Sequence, residues 1–297
     1  MNSGSDLVPV DLAGAFIEPL FLKNQVGKVI GITSKGIFLL FDARVLFLTS
    51  ETHRNPFMLH ILNSADYPQN ISANQEVRLE DQMLSVGEKK YDLHSISRIV
   101  PDPIPLHNLA ETHHKSSALI VTLFQTLSLP THNDSLLYIV DGLLTGKEPL
   151  DPTQQNIWAA VSQLRQGVRS QNLDLCGMAL HRLMGNGKGL TPSGDDLICG
   201  FLLVLNSINP ASARESGFIS ALNNLGVSMA QTRTSWISAN LIEASTKRLA
   251  DERVGRVTRL LLGSCRMDAV IIARGLESFG NSSGIDAFAG MAAALLP

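Results

Sequence analysis

The first hundred residues carry short apolar runs separated by turn residues, a pattern that is typical of β-strands. Gly87-Glu88 lies between two such runs and favours a tight hairpin. The predicted strands cover residues 28–33, 36–41, 45–50, 76–79, 82–86, 89–93 and 96–100. Several short strands at this spacing predict a small barrel or a sandwich.

After a proline-rich stretch that ends at residue 105, apolar residues recur with the period of an α-helix. Amphipathic faces cover residues 157–168, 197–208 and 285–295, and further helices are expected near 108–128, 172–184, 212–230, 234–250, 252–262 and 266–279. The whole pattern predicts an α+β protein. We expect a small β-rich N-terminal barrel or sandwich over residues 1–105, followed by an all-α helical C-terminal domain over residues 106–297.

Composition places the chain among globular proteins, with 44% hydrophobic and 17% charged residues in 297. The formal net charge is −3 and no run of Lys or Arg stands out, so no nucleic-acid or anionic-membrane surface is expected. The chain start lacks a secretory pattern, and the apolar runs are shorter than the ~20 residues that span a bilayer. Cys176, Cys199 and Cys265 are scattered, which argues against disulfides and structural zinc. We therefore expect a cytoplasmic protein.

One frame, Ser-Gly-x-Asp-x-x-x-Gly, occurs at residues 193–200 and again ninety positions later at 283–290. A glycine-rich loop that contains Gly187 and Gly189 leads into the first copy. Each copy is typical of a helix start, where unpaired N–H groups and the positive end of the helix dipole suit an anionic or polar ligand. Two such starts in one domain indicate a built site.

A simpler interpretation is that the polar residues of the first copy only cap a helix. Thr191 can cap while Pro192 takes the first helical position, or Ser193 can cap with Asp196 completing a capping box. Capping needs only one such side chain, however, and it needs none of the upstream glycines. The recurrence of the frame at Ser283 also weighs against simple capping.

Gly200 and Gly290 each follow an aspartate of the frame by one helical turn. Glycine inside a helix costs ~1 kcal/mol relative to alanine, so its presence suggests the close approach of another helix. We infer that the two helices cross near these glycines and bring both starts to one pocket. Packing alone explains such a crossing equally well.

Asp195 and Asp196 make the first helix start a poor phosphate site, because their charges would repel a phosphate dianion. The carboxylates fit better as acceptors for an amide or amine N–H, or as ligands of a hard cation. Arg233, Lys188 or Arg248 could balance an anionic substrate, and a surface role for Arg233 is equally expected.

The histidines give a weaker indication of chemistry than the aspartates do. His113 and His114 are adjacent, and neighbouring side chains on a helix point in different directions, so we expect no metal site there. His181 precedes the glycine-rich loop and could act as a base, but a lone histidine is usually structural.

Three segments together resemble the AllH-like family, a bacterial family long labelled a domain of unknown function, which includes the AllH subunit of oxamate carbamoyltransferase. The segments are Gly187-x-Gly189-Leu190-Thr191-Pro192-Ser193-Gly194-Asp195-Asp196, Thr232-Arg233-Thr234-x-x-Ser238 and Ser282-Ser283-Gly284-x-Asp286. The resemblance covers the helical half of the chain. Asn186, Lys188 and Asn281 depart from the residues that the family often has at these positions.

The resemblance implies a subunit of an oxamate carbamoyltransferase-like complex, which transfers a carbamoyl group between carbamoyl phosphate and a small amide such as oxamate in allantoin and purine catabolism. It implies catalytic roles for Thr191, Ser193, Asp195 and Asp196. It implies substrate-binding roles for Gly187, Gly189, Gly194, Arg233, Thr234, Ser283, Gly284 and Asp286. In this hypothesis the hydroxyls and the N–H groups near Gly194 contact a carbonyl or carboxylate. Asp195 or Asp196 accepts amide hydrogens, and Arg233 neutralises an acid group.

Two other functions remain open at this point. One is a non-catalytic structural or small-ligand-binding subunit of a multi-subunit assembly, and the other is a metal-dependent hydrolase that uses the carboxylates. The expected partners are other protein subunits and a small-molecule substrate, either carbamoyl phosphate or a small amide or carboxylate. No cofactor, resident metal, nucleic acid or membrane is expected.

Overall fold

The computed structural model describes residues 7–128, 134–263 and 267–297. The chain divides into two compact units, the first ending at Asp102 and the second beginning at Pro103. The first unit is built of β-strands and the second of α-helices, which confirms the predicted α+β class. Cys265 and the first residue of the helix predicted at 266–279 lie outside the described residues.

The first unit is a closed β-barrel, which is one of the two forms that the strand pattern predicted. Its strands are β1 (Leu7–Gly14), β2 (Gln25–Thr33), β3 (Gly36–Phe41), β4 (Arg44–Thr49), β5 (Met58–Ile61), β6 (Glu76–Glu80), β7 (Met83–Val86), β8 (Lys89–Asp92) and β9 (Arg98–Val100). Eight of them form a ring in the order β5-β4-β3-β2-β6-β7-β8-β1, because β1 pairs with both β8 and β5. β9 is added alongside the second half of β1.

The burial pattern of the strands follows from their sequences. β3 and β4 are buried along almost their whole length, whereas β6 and β7 alternate buried positions with more exposed ones. Alternation is typical of a strand that has one face on the core and one face in solvent. Leu39, Leu46, Leu48 and Leu79 are at most 1% exposed and belong to the core of this unit.

No strand was predicted at Leu7–Gly14 or Met58–Ile61, and these are the two strands whose pairing closes the ring. β1 contains Pro9, and proline cannot donate to a ladder, so the sequence of this segment does not favour a strand. β5 has only four residues, so its alternation is too short to recognise. Their antiparallel pairing joins distant parts of the chain, and no local pattern indicates it.

The second unit is built of helices packed around one apolar core. The helices are α1 (Leu109–Leu127), α2 (Leu137–Thr145), α3 (Pro152–Arg169), α4 (Leu173–Leu183), α5 (Ser193–Asn206), α6 (Ala213–Arg233), α7 (Trp236–Thr246), α8 (Glu252–Leu261), α9 (Ala269–Glu277) and α10 (Ser283–Leu295). α2 was not predicted, and α7 ends four residues before the predicted end at 250. None of the helices in the described part of the chain is long and apolar enough to cross a membrane.

α5 and α10 cross at glycines in the middle of this core. A Cβ atom on Gly200 would lie 1.9 Å from the carbonyl oxygen of Ala287, and one on Gly290 would lie 1.9 Å from that of Leu197. Both distances are far below van der Waals contact, so only glycine fits at either position. The crossing predicted from these two glycines is confirmed. It is reciprocal, because Leu197 and Ala287 are also ninety positions apart.

Candidate functional site

The starts of α5 and α10 lie side by side. Oγ1 of Thr191, just before α5, is 3.0 Å from Oγ of Ser283, the first residue of α10, which is a hydrogen-bond distance. Thr191, Ser193 and Ser283 are all partly exposed, so solvent reaches both starts. The two copies of the frame are therefore neighbours in space, as their recurrence predicted.

The first glycine of each frame fixes its helix against an earlier helix. A Cβ atom on Gly194 would lie 2.1 Å from the carbonyl oxygen of Leu183, the last residue of α4. A Cβ atom on Gly284 would lie 2.2 Å from the carbonyl oxygen of Leu276 in α9. Gly194 and Gly284 thus let the two helix starts pack closely on α4 and α9, and the substrate-binding roles implied for them stay predictions.

None of the polar residues of the first frame caps α5. The helix begins at Ser193, with Pro192 in the N-cap position and no side-chain cap hydrogen bond. The two capping arrangements predicted from Thr191 and from Ser193 with Asp196 are therefore wrong, and Pro192 is not the first helical residue. The polar side chains of this frame are therefore available for roles other than capping.

Asp195 is fully buried, and both of its carboxylate oxygens are bonded. Oδ1 accepts the N–H of Gly185 at 2.8 Å, and Oδ2 accepts the hydroxyl of Thr234. Burial raises the pKa of Asp195 above its ordinary value, while these two bonds and the nearby hydroxyl of Ser238 oppose the rise. Asp195 and Thr234 therefore tie the glycine-rich loop and the end of α6 to α5.

Asp196 is only 3% exposed, and its Oδ2 has no hydrogen-bond partner among the described residues. Burial raises the pKa of Asp196 well above its ordinary value, and the charges of Asp286 and Asp195 raise it further. The hydroxyls of Ser283 and Thr191 are near enough to oppose the rise, but neither makes a hydrogen bond of normal geometry to Oδ2. A buried acceptor without a partner costs roughly 1–3 kcal/mol, and more when charged.

Asp286, the equivalent residue of the second frame, is fully buried and well bonded. Its Oδ1 accepts the backbone N–H of Leu136 at 2.6 Å, and its Oδ2 accepts the hydroxyl of Ser282 at 2.8 Å. Burial raises the pKa of Asp286 to about 6, while these bonds and the hydroxyl of Ser193 oppose the rise. Asp286 thus anchors the start of α2 to α10.

The serine of each frame reaches toward the aspartate of the other frame. The hydroxyl of Ser283 lowers the pKa of Asp196, and the hydroxyl of Ser193 lowers the pKa of Asp286. This exchange follows from the reciprocal crossing of α5 and α10. It brings four of the predicted site residues into one cluster.

The glycine-rich loop is exposed, and its Gly187 lies against the start of α5. Gly187 has a φ of +124°, and a Cβ atom there would lie 2.5 Å from the backbone nitrogen of Ser193. The N–H of Ser193 meets no acceptor among the described residues. That of Gly194 is already bonded to the carbonyl oxygen of Asn186 at 2.8 Å, so it is not free for a ligand. Gly189, at φ +93°, has open space where a Cβ atom would lie.

The basic residues that could balance an anion lie away from the buried aspartates. The guanidinium of Arg233 is 3.4 Å from Nδ1 of His181 and 3.3 Å from its carbonyl oxygen. Arg248 donates to the carbonyl oxygen of Ile104 at 3.0 Å, and Lys188 is exposed on the glycine-rich loop. Within the described ranges, no lysine or arginine contributes to the pKa values of the three buried aspartates.

Several groups that complete this cluster were not predicted to have a role. Ser235 caps α7 and donates to the carbonyl oxygen of Leu190 at 2.7 Å, which holds the end of the loop. Ser238 is fully buried, and its Oγ has no hydrogen-bond partner in the described part of the chain. Ser238 and Ser282 stand in the motifs and could have been found, whereas the N–H of Leu136 carries no sequence signal.

The other candidate groups and surfaces do not form a recognisable site in the described part of the structure. An open groove of about 690 Å³ runs along α3, lined by residues that include Gln155, Trp158 and Gln166, and contains none of the predicted site residues. The side chains of His113 and His114 lie outside the described part of the structure. Among the side chains that are described, no three of His, Cys, Asp or Glu come together as a metal-binding group. The buried aspartates remain the strongest candidate.

Every residue of the predicted site lies between the end of α4 and the end of α10. Residues 183–295 match the family model of oxamate carbamoyltransferase subunit AllH. This match confirms the AllH-like resemblance over that segment. No solved structure matches the chain. The AllH match thus falls on the crossing pair α5 and α10 that builds the cluster.

Proposed function

We propose that this chain is a subunit of an oxamate carbamoyltransferase-like complex, and that the starts of α5 and α10 form its site for small reactants. The AllH-matching segment contains both starts, which supports the assignment. The observation that carries the proposal is Asp196, a buried carboxyl with no partner for Oδ2 among the described residues. Buried carboxyls with strongly perturbed pKa values are concentrated at functional sites.

In this reaction the amide nitrogen of oxamate attacks the carbamoyl carbon of carbamoyl phosphate. A C–N bond forms, the bond from that carbon to the phosphate oxygen breaks, and phosphate leaves with the bonding electrons. The nitrogen loses a proton to a base, and the products are oxalurate and phosphate. Negative charge builds on the carbamoyl oxygen during the attack, so the site must supply fixed N–H or O–H donors.

The cluster contains groups suited to these tasks. Asp196 is the proposed base, because both oxygens of Asp195 are already bonded and because its raised pKa makes it a stronger base than an ordinary carboxylate. The hydroxyls of Thr191 and Ser283 are the proposed donors to the carbamoyl oxygen. Arg233 lies at the exposed rim and is the proposed cation for the acid group of a substrate.

Replacing Asp196 with asparagine tests the proposed function. Carbamoyl transfer by the purified chain, alone and with co-purified subunits, is expected to fall by roughly 100-fold or more, because the base is lost. The melting temperature should stay the same or rise, since a buried carboxyl with an unpartnered oxygen destabilises the fold. Asp174→Asn, an exposed position on α4, is the matched control. A large loss of stability with full activity per folded molecule would reject the proposal.

A non-catalytic, small-ligand-binding subunit is the second candidate. It is supported by the match to a family of carbamoyltransferase subunits and by the absence of a basic side chain beside the three aspartates in the described structure. A chain that co-purifies with active partners but whose Asp196→Asn variant leaves their turnover unchanged would favour this candidate. Loss of activity on chelation would instead favour a metal-dependent hydrolase.

We further propose a cytoplasmic role in allantoin breakdown.

A further inference from the structure

Three aspartates are buried at the two helix starts, and the structure gives them different partners. Asp195 and Asp286 each have both carboxylate oxygens bonded. Asp196 keeps Oδ2 without a partner in the described part of the chain, although the residue is only 3% exposed. Buried polar atoms of this kind are rare in folded proteins. The start of α5 therefore offers an open acceptor that the start of α10 does not.

An open donor lies on the same helix start. The backbone N–H of Ser193 meets no acceptor among the residues that the structure describes, because α5 has no side-chain cap and Gly187 has no side chain to cover it. Ser193 and Asp196 are three positions apart, so they lie on one face of the helix. Helical side chains lean toward the N-terminus, which directs the carboxyl of Asp196 toward the Ser193 end.

An open acceptor beside an open donor is complementary to one edge of a primary carboxamide, whose NH2 group donates and whose carbonyl oxygen accepts. A carboxylate or a phosphate offers acceptors only, and it would add negative charge beside buried carboxyls. An ammonium group offers donors only. The hydroxyls of Thr191 and Ser283 can serve either role, so they do not discriminate among these groups.

We propose that the start of α5 binds the H2N–C=O edge of a small carboxamide, with the NH2 group donating to Oδ2 of Asp196 and the carbonyl oxygen accepting from the N–H of Ser193. The inference rests on the proposed function and deepens it by naming the chemical group that is recognised. In oxamate the carboxylate is attached opposite this edge, so it points away from Asp196, and Arg233 remains its proposed cation. The aspartate of the second start holds α2 through Leu136 instead.

Oxamate and oxalate test this proposal, because they have nearly the same shape and differ only where a carboxamide replaces a carboxylate. Isothermal titration calorimetry on the full chain, at neutral and at alkaline pH, should show oxamate binding at least about tenfold more tightly than oxalate. The Asp196→Asn variant can turn an N–H toward the ligand, so this preference should disappear or reverse. Asp174→Asn should keep the wild-type preference, since it is exposed on α4.

A second pair of variants tests the donor independently of Asp196. Proline is well tolerated at the first position of a helix and removes the backbone N–H there, whereas alanine keeps that group. Ser193→Pro is therefore expected to bind oxamate at least about tenfold more weakly than Ser193→Ala. Circular dichroism and melting temperature establish that each variant is folded.

Tighter or equal binding of oxalate by the wild type would overturn the inference. Failure of the wild type to bind either compound would also overturn it. So would an unchanged preference for oxamate in folded Asp196→Asn, or equal affinities of Ser193→Pro and Ser193→Ala for oxamate. Different results would reject the proposed carbamoyl transfer and the proposed carboxamide site. A preference for oxamate that depends on Asp196, without carbamoyl transfer by the chain or its complex, would remove the proposed function and keep the carboxamide site. Carbamoyl transfer activity, with a preference for oxamate that does not depend on Asp196, would keep the proposed function and remove the carboxamide site.

Discussion

Asp286 makes the stability of the helical unit depend on pH. Burial is the main cause that raises its pKa from 3.8 to about 6. Between these two values the unfolded chain has lost the proton while the folded protein still holds it, so the free energy of unfolding falls as the pH rises. The stabilising contribution is complete below the unfolded pKa and is lost above the folded one. The difference corresponds to about 3 kcal/mol.

Asp286→Asn is therefore expected to remove this part of the pH dependence. An asparagine oxygen can still accept the N–H of Leu136, so the variant should fold. Between about pH 4 and about pH 7, the wild type should lose roughly 3 kcal/mol of unfolding free energy relative to the variant. Urea denaturation at several pH values measures this, with Asp174→Asn as the exposed control. Parallel profiles for wild type and Asp286→Asn would contradict the explanation.

At the scale of single residues, the sequence predicted which side chains meet but not what each one does. The recurrence of the frame brought Ser193 and Ser283 into one cluster because equal segments build equal helix starts. Capping was predicted wrongly, because the same short polar residues serve as caps and as contacts between helices. One of the two hydrogen bonds of the Asp286 carboxyl comes from the N–H of Leu136, 150 positions away, and only the folded chain brings the two residues together.

Among the contacts between elements, the crossing of α5 and α10 leaves the least room for a larger side chain. A methyl group on Gly200 or Gly290 would overlap a carbonyl oxygen of the facing helix, and backbone cannot move aside as a flexible side chain can. Gly200→Ala and Gly290→Ala are each expected to lower the free energy of unfolding by ~2 kcal/mol or more. Because the helix starts would shift as well, binding at the site should weaken together with stability.

Gly217 provides the matched control for these substitutions. It lies exposed in α6, and no atom is within 4 Å of where its Cβ atom would lie. Gly217→Ala should raise the free energy of unfolding by up to ~1 kcal/mol, because alanine is the better helix former. Chemical denaturation of the three variants gives the comparison. Similar effects at Gly200 and Gly217 would contradict a tight crossing.

The elements that the sequence failed to predict share a physical reason. β1 and β5 depend on pairing with each other across the barrel, so tertiary contacts decide their conformation rather than local preference. α2 is short and apolar on most sides, and a short apolar run does not distinguish a buried helix from a strand. The long amphipathic helices were predicted because their period is visible without any tertiary contact.

For the whole molecule, the division at Asp102 predicts two independently folding parts. Each part has a size typical of a domain. Residues 103–297 expressed alone should give a helical circular dichroism spectrum and one cooperative unfolding transition, and residues 1–102 a β-type spectrum with a transition of their own. A fragment that remains unfolded would show that the division is not a folding boundary.

The AllH match covers only the helical unit, so the β-barrel receives no function from it. The barrel carries none of the predicted site residues, and its closure could not be derived without β1 and β5. The separate helical fragment is therefore also the smallest piece in which the carboxamide preference can be sought once its folding has been established.

The reciprocal crossing has a consequence for mutagenesis libraries. Gly200 faces the carbonyl oxygen of Ala287, and Gly290 faces that of Leu197, so the opposing group is backbone in both pairs. No codon choice at 197 or 287 removes that oxygen, so a compensating partner substitution is not available. Deep sequencing of the survivors of a library randomised at all four positions should therefore find glycine at 200 and 290, whatever residues stand at 197 and 287.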